Sequence, residues 1–305
     1  MKKQTRGSIL LLLAAMIWGA AFVAQSESMK YIGPFTMQAT RFFLAGLVLL
    51  PVIRLLDKKA LTTNRPVTKE QKKNQLICGL VCGLLLCIAS NIQQFGIVYT
   101  SVGKAGFITA LYIIFVPILA VFRRKMPAIR IWFCALLALI GMYFLCLNGT
   151  LNLNIGDLLM LLCAVFFALH ISYVDSISDS VDGVRLSCTQ FFVCAFLSAV
   201  CMFLFETPSF ASILACWLPI CYAGILSGGV AYTLQIIGQQ TVAPAVASLL
   251  MSLESVFAAL FVWIIIGQSL SLRELLGCAI MFSAIILAQL PKKDVQQASS
   301  LSENK

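Results

Sequence analysis

Hydrophobic residues occur in long runs that recur from one end of the chain to the other. An α-helix rises 1.5 Å per residue, so a run of about 20 apolar residues is needed to cross about 30 Å of hydrocarbon. We predict ten such spans, at roughly 8–25, 36–56, 76–96, 103–122, 128–147, 157–174, 186–205, 212–237, 243–266 and 272–290. The pattern therefore predicts an all-α integral membrane protein.

Polar residues fill the remaining stretches, which are the first seven residues, a linker near 57–75 and a tail at 291–305. Each is shorter than a folded domain of about 50 or more residues, so we expect no attached catalytic domain. The basic residues Lys2, Lys3 and Arg6 before an apolar run also fit a cleaved secretory signal. We favour a first membrane crossing, because cleavage would leave nine spans and destroy an internal duplication of the chain.

The net charge of +10 would suggest a nucleic-acid partner in a soluble protein. With 60% apolar and only 11% charged residues, the position of the basic side chains matters more. If both termini are cytoplasmic, eighteen of the 22 Lys and Arg residues lie on that side, against Lys30, Lys104 and Arg273 on the other. This asymmetry predicts a multi-pass plasma-membrane protein with cytoplasmic termini. We expect the bilayer and a small-molecule substrate as partners, and no nucleic acid. Whether it is a monomer or a homodimer stays open.

The twelve cysteines lie in or beside apolar runs, with no C-x-x-C pair and a single histidine, His170. We read them as free thiols used in packing, and we expect no metal and no other cofactor. A membrane-embedded enzyme would need clustered His or carboxylate residues, and an ion channel would need a filter ring. Since the sequence has neither pattern, we do not expect an enzyme and give little weight to a channel.

The two halves of the chain resemble each other. A shift of 149 residues aligns Gly7 with Gly156 and Ala39–Phe43 with Cys188–Phe192, and a shift of 143 aligns Arg130 with Arg273. We therefore assign a first five-helix repeat to 1–150 and a second to 151–290. Because five crossings are an odd number, the second repeat must enter the membrane from the opposite side. Inverted repeats with a substrate site between the halves are typical of secondary transporters.

Three short motifs fall at matching places in this ten-span plan. They are Trp18-Gly19-x-x-Phe22 in the first span, Arg41-Phe42 in the second and Leu253-Glu254-Ser255-Val256 in the ninth. Together they resemble the EamA-type branch of the drug/metabolite transporter superfamily over about residues 8–290. The resemblance implies secondary export of small metabolites such as amino acids and their derivatives, with both termini in the cytoplasm.

The chain departs from the usual family pattern at two places in the ninth span. Ser255 follows the glutamate where the family often has Pro, and Gly267-Gln268 stands where Gly-Glu is common. Ser255 removes the usual reason for a kink in this span, whereas Pro117 predicts one in the fourth. The missing second glutamate weakens the assumption that coupling follows the commonest family pattern.

Charged residues within spans are the main functional candidates, because charges in hydrocarbon are costly. Glu254 lies near the middle of its span and could bind a substrate ammonium or a proton; alternatively it pairs permanently with Arg41 or with Ser and Gln side chains. Arg41 lies near the start of its span, where its side chain could snorkel. It could bind a substrate carboxylate, although a structural or topological role is favoured. His170 could relay protons, but a hydrogen bond to a neighbouring helix is favoured.

Uncharged candidates share the property that an amide or hydroxyl in lipid needs a partner. Those expected to face the protein interior or a wet cavity are Asn91, Gln93, Gln94, Tyr112 and Gln235. All but Gln93 are candidates for a substrate path, with interhelical hydrogen bonding as the alternative, and Trp18 and Phe22 could form an aromatic wall beside it. Hinge candidates are Ser227, Gly228, Gly229 and Pro117, with close packing through Gly224-x-x-x-Gly228 as the alternative to a hinge at the glycines. The sequence thus favours an alternating-access metabolite exporter; the alternative is a multidrug exporter of lipophilic cations.

Overall fold

The computed structural model describes residues 3–61, 68–100, 102–124, 126–146, 154–266 and 271–290. The predicted tail at 291–305, the junction at 150–151 and the Gly267-Gln268 pair lie outside these ranges. The described residues are almost wholly helical and contain no β-strand. The predicted all-α class is confirmed to this extent.

Fourteen α-helices and one π-helical segment follow one another along the described parts of the chain. They are α1 (Lys3–Ser28), α2 (Pro34–Leu61), α3 (Lys69–Tyr99), α4 (Val102–Thr109), α5 (Tyr112–Phe122), α6 (Ile129–Cys146), α7 (Ile155–Ile177), α8 (Gly183–Phe205), α9 (Phe210–Ala215), α10 (Trp217–Cys221), the π-helix (Tyr222–Tyr232), α11 (Thr233–Gln239), α12 (Pro244–Met251), α13 (Glu254–Ile266) and α14 (Leu272–Gln289).

Nine helical stretches in the described ranges are long and apolar enough to cross a membrane. They correspond to nine of the ten predicted spans; the fifth, predicted at 128–147, is the shorter apolar helix Ile129–Leu145. Several stretches begin at a local signal in the sequence. Thr68, Asn154 and Ser271 each form a capping box with the residue three positions later, which satisfies backbone N–H groups at the helix start.

The long helices pack along one another in pairs. The pairs α2 with α8, α3 with α7 and α6 with α14 are antiparallel, whereas α3 and α8 are parallel. Glycines let these pairs approach closely, as membrane helix interfaces require. A Cβ on Gly79 would lie 2.5 Å from Thr189, and one on Gly141 would lie 2.8 Å from the Gly277 carbonyl oxygen. The core that results includes stacked Phe42 and Phe191, from α2 and α8.

Two membrane-crossing stretches are interrupted near their middles. The fourth predicted span breaks at Ala110–Leu111, between α4 and α5. The ninth predicted span breaks at Ser252–Leu253, between α12 and α13. Pro117 lies inside α5, so the break precedes the position where a proline kink was predicted. At the break itself, the Leu111 and Ile113 N–H groups bond to carbonyls three residues back, a tighter turn than an α-helix.

The break in the ninth stretch corrects the expectation based on Ser255, since it forms without a proline. The Ser252 hydroxyl donates to the Leu249 carbonyl at 2.8 Å, and the Leu253 and Ser255 N–H groups bond three residues back. Serine hydroxyls that bond to backbone carbonyls in this way bend helices. The break therefore lies at a serine that bonds back to the helix backbone, and it leaves Glu254 as the first residue of α13.

Candidate functional site

Glu254 and Tyr112 occupy equivalent places, each at the first residue after a helix break. The Tyr112 hydroxyl donates to Glu254 Oε1 at 3.3 Å. Glu254 is only 6% exposed, and no basic side chain in the described ranges forms an ion pair with it. The alternative of a permanent pair with Arg41 is therefore not what the structure contains.

Arg41 is buried at 2% exposure, so its guanidinium does not snorkel to an aqueous surface. Nε donates to Gln38 Oε1 at 2.7 Å and Nη1 donates to Gln25 Oε1 at 2.8 Å, while the guanidinium lies 4.5 Å from the centre of the Phe42 ring. Nη2 has no hydrogen-bond partner in the described part of the protein. A buried cation with neutral acceptors and one unused N–H edge can still accept an anionic group.

Gln25 and Gln38 hold this arginine, and the sequence analysis did not single them out. Gln38 lies three residues before Arg41 on α2, a spacing that places two side chains on one helix face and could have revealed it. It is fixed in turn by donating to the Ser90 carbonyl and to Gln94 Oε1. Gln25 comes from α1, and no spacing rule connects it with Arg41.

A narrow cavity joins the arginine cluster to the two broken helices. The volume that the centre of a water molecule can occupy in it is about 40 Å³, so the cavity holds only a few water molecules. Its lining includes the predicted candidates Trp18, Phe22, Arg41, Tyr112, Ser227, Gln235 and Glu254, together with Gln25, Gln93, Thr109, Phe167, Tyr232 and Met251. The structure thus brings together most of the charged, aromatic and hydroxyl candidates.

The segment Ser227-Gly228-Gly229 lies within the π-helix, at the side of this cavity. Trp18 Nε1 donates to the Ser227 carbonyl at 3.2 Å, and the Trp18 ring meets Tyr232 edge-on at 4.9 Å. A Cβ on Gly228 would lie 2.7 Å from Ala45, so this glycine also serves close packing. An irregular helix frees a carbonyl for a side chain, and π-helical turns are frequent at functional sites.

Apart from Gly228 and Gly229, which adjoin the lining residue Ser227, four candidates do not line the cavity. Asn91 donates to the Cys87 carbonyl and to the Ser198 hydroxyl, and Gln94 donates to the Gln25 carbonyl. His170 Nε2 lies 2.9 Å from Gln190 Oε1 on α8. Pro117, the fourth, lies inside α5. The contacts of Asn91 with Ser198, of Gln94 with Gln25 and of His170 with Gln190 join neighbouring helices. This was the alternative interpretation of Asn91 and Gln94 and the favoured one of His170.

In the described ranges, no group of three or more His, Cys, Asp or Glu side chains could hold a metal ion. The eleven cysteines whose side chains the structure describes are free thiols. The chemistry that the cavity offers is therefore a carboxylate, a guanidinium, amides and aromatic faces. Such groups can bind and orient a small polar molecule.

Comparison with known proteins shows which proteins this chain is similar to. The chain is 29% identical over 295 residues to an uncharacterized transporter of Archaeoglobus fulgidus, with 94% of this chain and 87% of the relative covered. It is 23% identical over 285 residues to the uncharacterized transporter YoaV of Bacillus subtilis, with 91% and 94% covered. A solved crystal structure shares the fold, with a TM-score of 0.76 and 18% identity over 93% of this chain and 96% of its own.

The family model described as the EamA-like transporter family matches residues 5–147 and again residues 154–290. These matches cover nearly all of the membrane helices. The two relatives are named as transporters, and this chain aligns with 87% and 94% of their lengths. The chain therefore belongs to the EamA-like transporter family.

Proposed function

We propose that this protein is a secondary transporter that exports small metabolites, in particular amino acids or their derivatives, by alternating access. The observation that carries the proposal is the cavity itself, where Arg41 and Glu254 lie at the junction of two interrupted helices. Discontinuous helices next to buried charges are typical of substrate sites in secondary transporters. The proposed setting is the plasma membrane, with ten crossings and both termini cytoplasmic.

Contacts related by the internal duplication support a plan of two inverted five-helix repeats. A Cβ on Gly7 of α1 would lie 2.9 Å from the Gly238 carbonyl, and a Cβ on Gly156 of α7 would lie 2.9 Å from the Gly96 carbonyl. Gly7 and Gly156 are 149 residues apart, and Gly96 and Gly238 are 142 apart. Each repeat therefore contributes the first helix to one contact and the third helix to the other.

The helix breaks follow the same relation. Ala110–Leu111 and Ser252–Leu253 are also 142 residues apart, so each falls in the fourth helix of its repeat. The hydrogen bond between Tyr112 and Glu254 joins the two halves next to both breaks. A site between two such halves can be exposed to either side as one moves against the other.

The charges of the cavity favour a substrate with both an acidic and a basic group. Arg41 offers an unused N–H edge to a carboxylate, and Glu254 offers an unpaired carboxylate to an ammonium. The aromatic lining would also suit a lipophilic cation, which is the second candidate. Arg41 argues against that candidate, because a second cation in the same narrow cavity would be repelled.

The small size of the cavity also supports a moving site. Space for a few water molecules cannot hold an amino acid, so the helices around Glu254 must separate when a substrate enters. A buried carboxylate with no cationic partner is costly, and a proton or a substrate ammonium would relieve that cost. Alternation between these two occupants would couple export to the proton gradient.

The test is untargeted mass spectrometry of the medium around cells that express the wild type, Glu254→Gln or an empty vector at matched membrane levels. We expect compounds with both an amino and a carboxyl group to be enriched by the wild type and not by Glu254→Gln. The matched control is Glu274→Gln, which makes the same change at an exposed helix start and keeps a capping side chain. It should export like the wild type.

Two results would contradict the proposal. Enrichment of lipophilic cations alone would replace the substrate class with that of the second candidate. Equal export by the wild type and a well-expressed Glu254→Gln would remove Glu254 from the site and leave Arg41 and Trp18 as the residues to test.

A further inference from the structure

A largely buried ion pair joins the fourth predicted span (α4) to the sixth (α7), at the face of the protein opposite the start of α1. Lys104 Nζ on α4 lies 2.8 Å from Asp157 Oδ2 on α7, with side-chain exposures of 19% and 2%. Thr100, at the end of α3, donates its hydroxyl to the other oxygen of Asp157 at 2.6 Å. Three helix ends therefore meet at one carboxylate, and the contact is charge-assisted and poorly hydrated.

The helix that Lys104 fastens is the one that leads to the site. Lys104 lies near the start of α4, Thr109 at its end lines the cavity, and the break before Tyr112 follows. The Ser255 hydroxyl, one residue after Glu254, donates to the Gly106 carbonyl in the middle of α4. A movement of α4 away from α7 would therefore act directly on the cavity.

The face where α1 begins has a different structure. A wide vestibule opens there between the ends of α1, α5, α6, α7, α12 and α14. The volume that the centre of a water molecule can occupy in it is about 760 Å³. A shift of 149 residues relates Asp157 to Ser8, and a shift of 142 relates Lys104 to Val246. Both Ser8 and Val246 line the vestibule, and neither carries a charge. The position that is fastened on one face is thus open and uncharged on the other.

We propose that the Lys104–Asp157 ion pair is the outer gate of the transporter and holds the resting protein open towards the face where α1 begins. This rests on the proposed alternating-access function. Outward opening separates Lys104 from Asp157 and hydrates both, while the vestibule closes around Ser8 and Val246. The related positions Ser8 and Val246 form no ion pair when the vestibule closes, and the charged lining residues Arg123, Arg130 and Asp175 lie at other positions. The ion pair therefore biases the protein towards loading from the vestibule side.

Hydrogen exchange of the purified full-length protein in detergent tests this gate. Lys104→Gln removes the ion pair and leaves the bonds of Asp157 to Asn154 and Thr100 in place. We expect amides of Lys104–Thr109 to exchange roughly tenfold faster, because a charge-assisted contact is lost. In the same sample, amides of Ala243–Leu249 beside the vestibule should exchange more slowly. Asp157→Asn should give the same pair of changes.

The chain offers a matched control and a variant of opposite chemistry. Lys30 and Glu27 form an ion pair at 2.6 Å near the end of α1, with side-chain exposures of 65% and 45%, and the pair joins no second helix. Glu27→Gln should therefore leave both exchange rates unchanged. The double variant Ser8→Asp with Val246→Lys places a carboxylate and an ammonium in the vestibule. It should close the vestibule and speed exchange at α4, although it adds charges instead of removing them.

Each outcome decides for or against the gate. Faster exchange at α4 together with slower exchange at the vestibule supports it. Faster exchange at α4 alone is local loosening and overturns it, as does no change at either place. The experiment tests the gate and the export function separately. If the wild type exports a compound but the variants show none of these exchange changes, only the gate is contradicted. If the exchange changes occur but no compound is exported, the export function is contradicted and the gate stands.

Discussion

The residues at positions 41 and 190 are related by the 149-residue shift, yet they have different surroundings. Arg41, seven residues into α2, donates to Gln25 and Gln38, keeps one N–H edge unused and lines the cavity. Gln190, seven residues into α8, contacts His170 at 2.9 Å and lies outside the cavity lining. Both are fully or almost fully buried.

This difference shows how one helix position can take two roles in the halves of a duplicated chain. In the first half the buried side chain is charged and its partners are neutral acceptors, which keep it in place without neutralising it. In the second half an uncharged amide meets an imidazole, and the contact joins α7 to α8. We infer that ligand chemistry belongs to the first position and helix packing to the second.

The largest test of this contrast makes position 41 like position 190. Among the described residues that line the cavity, Arg41 alone carries a guanidinium, and Arg41→Gln removes it. We expect the export rate to fall roughly 10- to 100-fold, the value of one charge-assisted contact. The rate is measured as release of the exported compound at matched membrane levels. Gln190→Leu is the control and should export at a near-normal rate. Normal export by Arg41→Gln would give Arg41 a purely structural role.

A smaller effect is expected from the second position, on stability alone. His170→Leu leaves the Gln190 amide buried and without its partner, so we expect the free energy of unfolding in detergent to fall by about 1–3 kcal/mol. The double variant with Gln190→Leu should lose less than the sum of the two single changes, because no polar group is left alone. Reduced export by a stable double variant would contradict the packing role.

Much of the fold follows from the sequence because hydrocarbon imposes a simple rule on it. Nine of the ten predicted spans are membrane-length helices in the described ranges, since each needs only enough consecutive apolar residues. The break before Glu254 could not be predicted in this way. It lies at Ser252, whose hydroxyl donates to a backbone carbonyl, and the sequence offers no rule that separates this serine from others.

The candidate site could be predicted only where a single residue type carries the signal. Arg41 and Glu254 stand out because charges are rare in spans, and both line the cavity. Gln25 escaped notice because its value lies in a contact with another helix. Asn91 and His170 have the right chemistry, but they bond to the helices beside them and do not line the cavity. Which face of a helix meets the cavity depends on packing, which short motifs do not encode.

The smallest effects are expected at the two ends of the α2–α8 pair, where the same shift relates Glu206 to Asp57. Glu206 accepts hydrogen bonds from the Phe35 and Thr36 N–H groups and the Thr36 hydroxyl at 2.6–2.9 Å, which caps the start of α2. Asp57 pairs with Arg185 near the start of α8, and these side chains are 44% and 41% exposed. The capping carboxylate should therefore contribute more to stability than the exposed one.

We expect Glu206→Gln to lower the free energy of unfolding by about 1–2 kcal/mol, because an amide offers only one acceptor oxygen to the start of α2. Asp57→Asn should cost less than about 0.5 kcal/mol, since exposed ion pairs contribute little. Denaturant unfolding of the two variants in the same detergent, at low and high salt, measures both. Equal losses of unfolding free energy in the two variants would mean that the two ends of the α2–α8 pair are stabilised to the same extent. The difference between the halves would then be confined to positions 41 and 190.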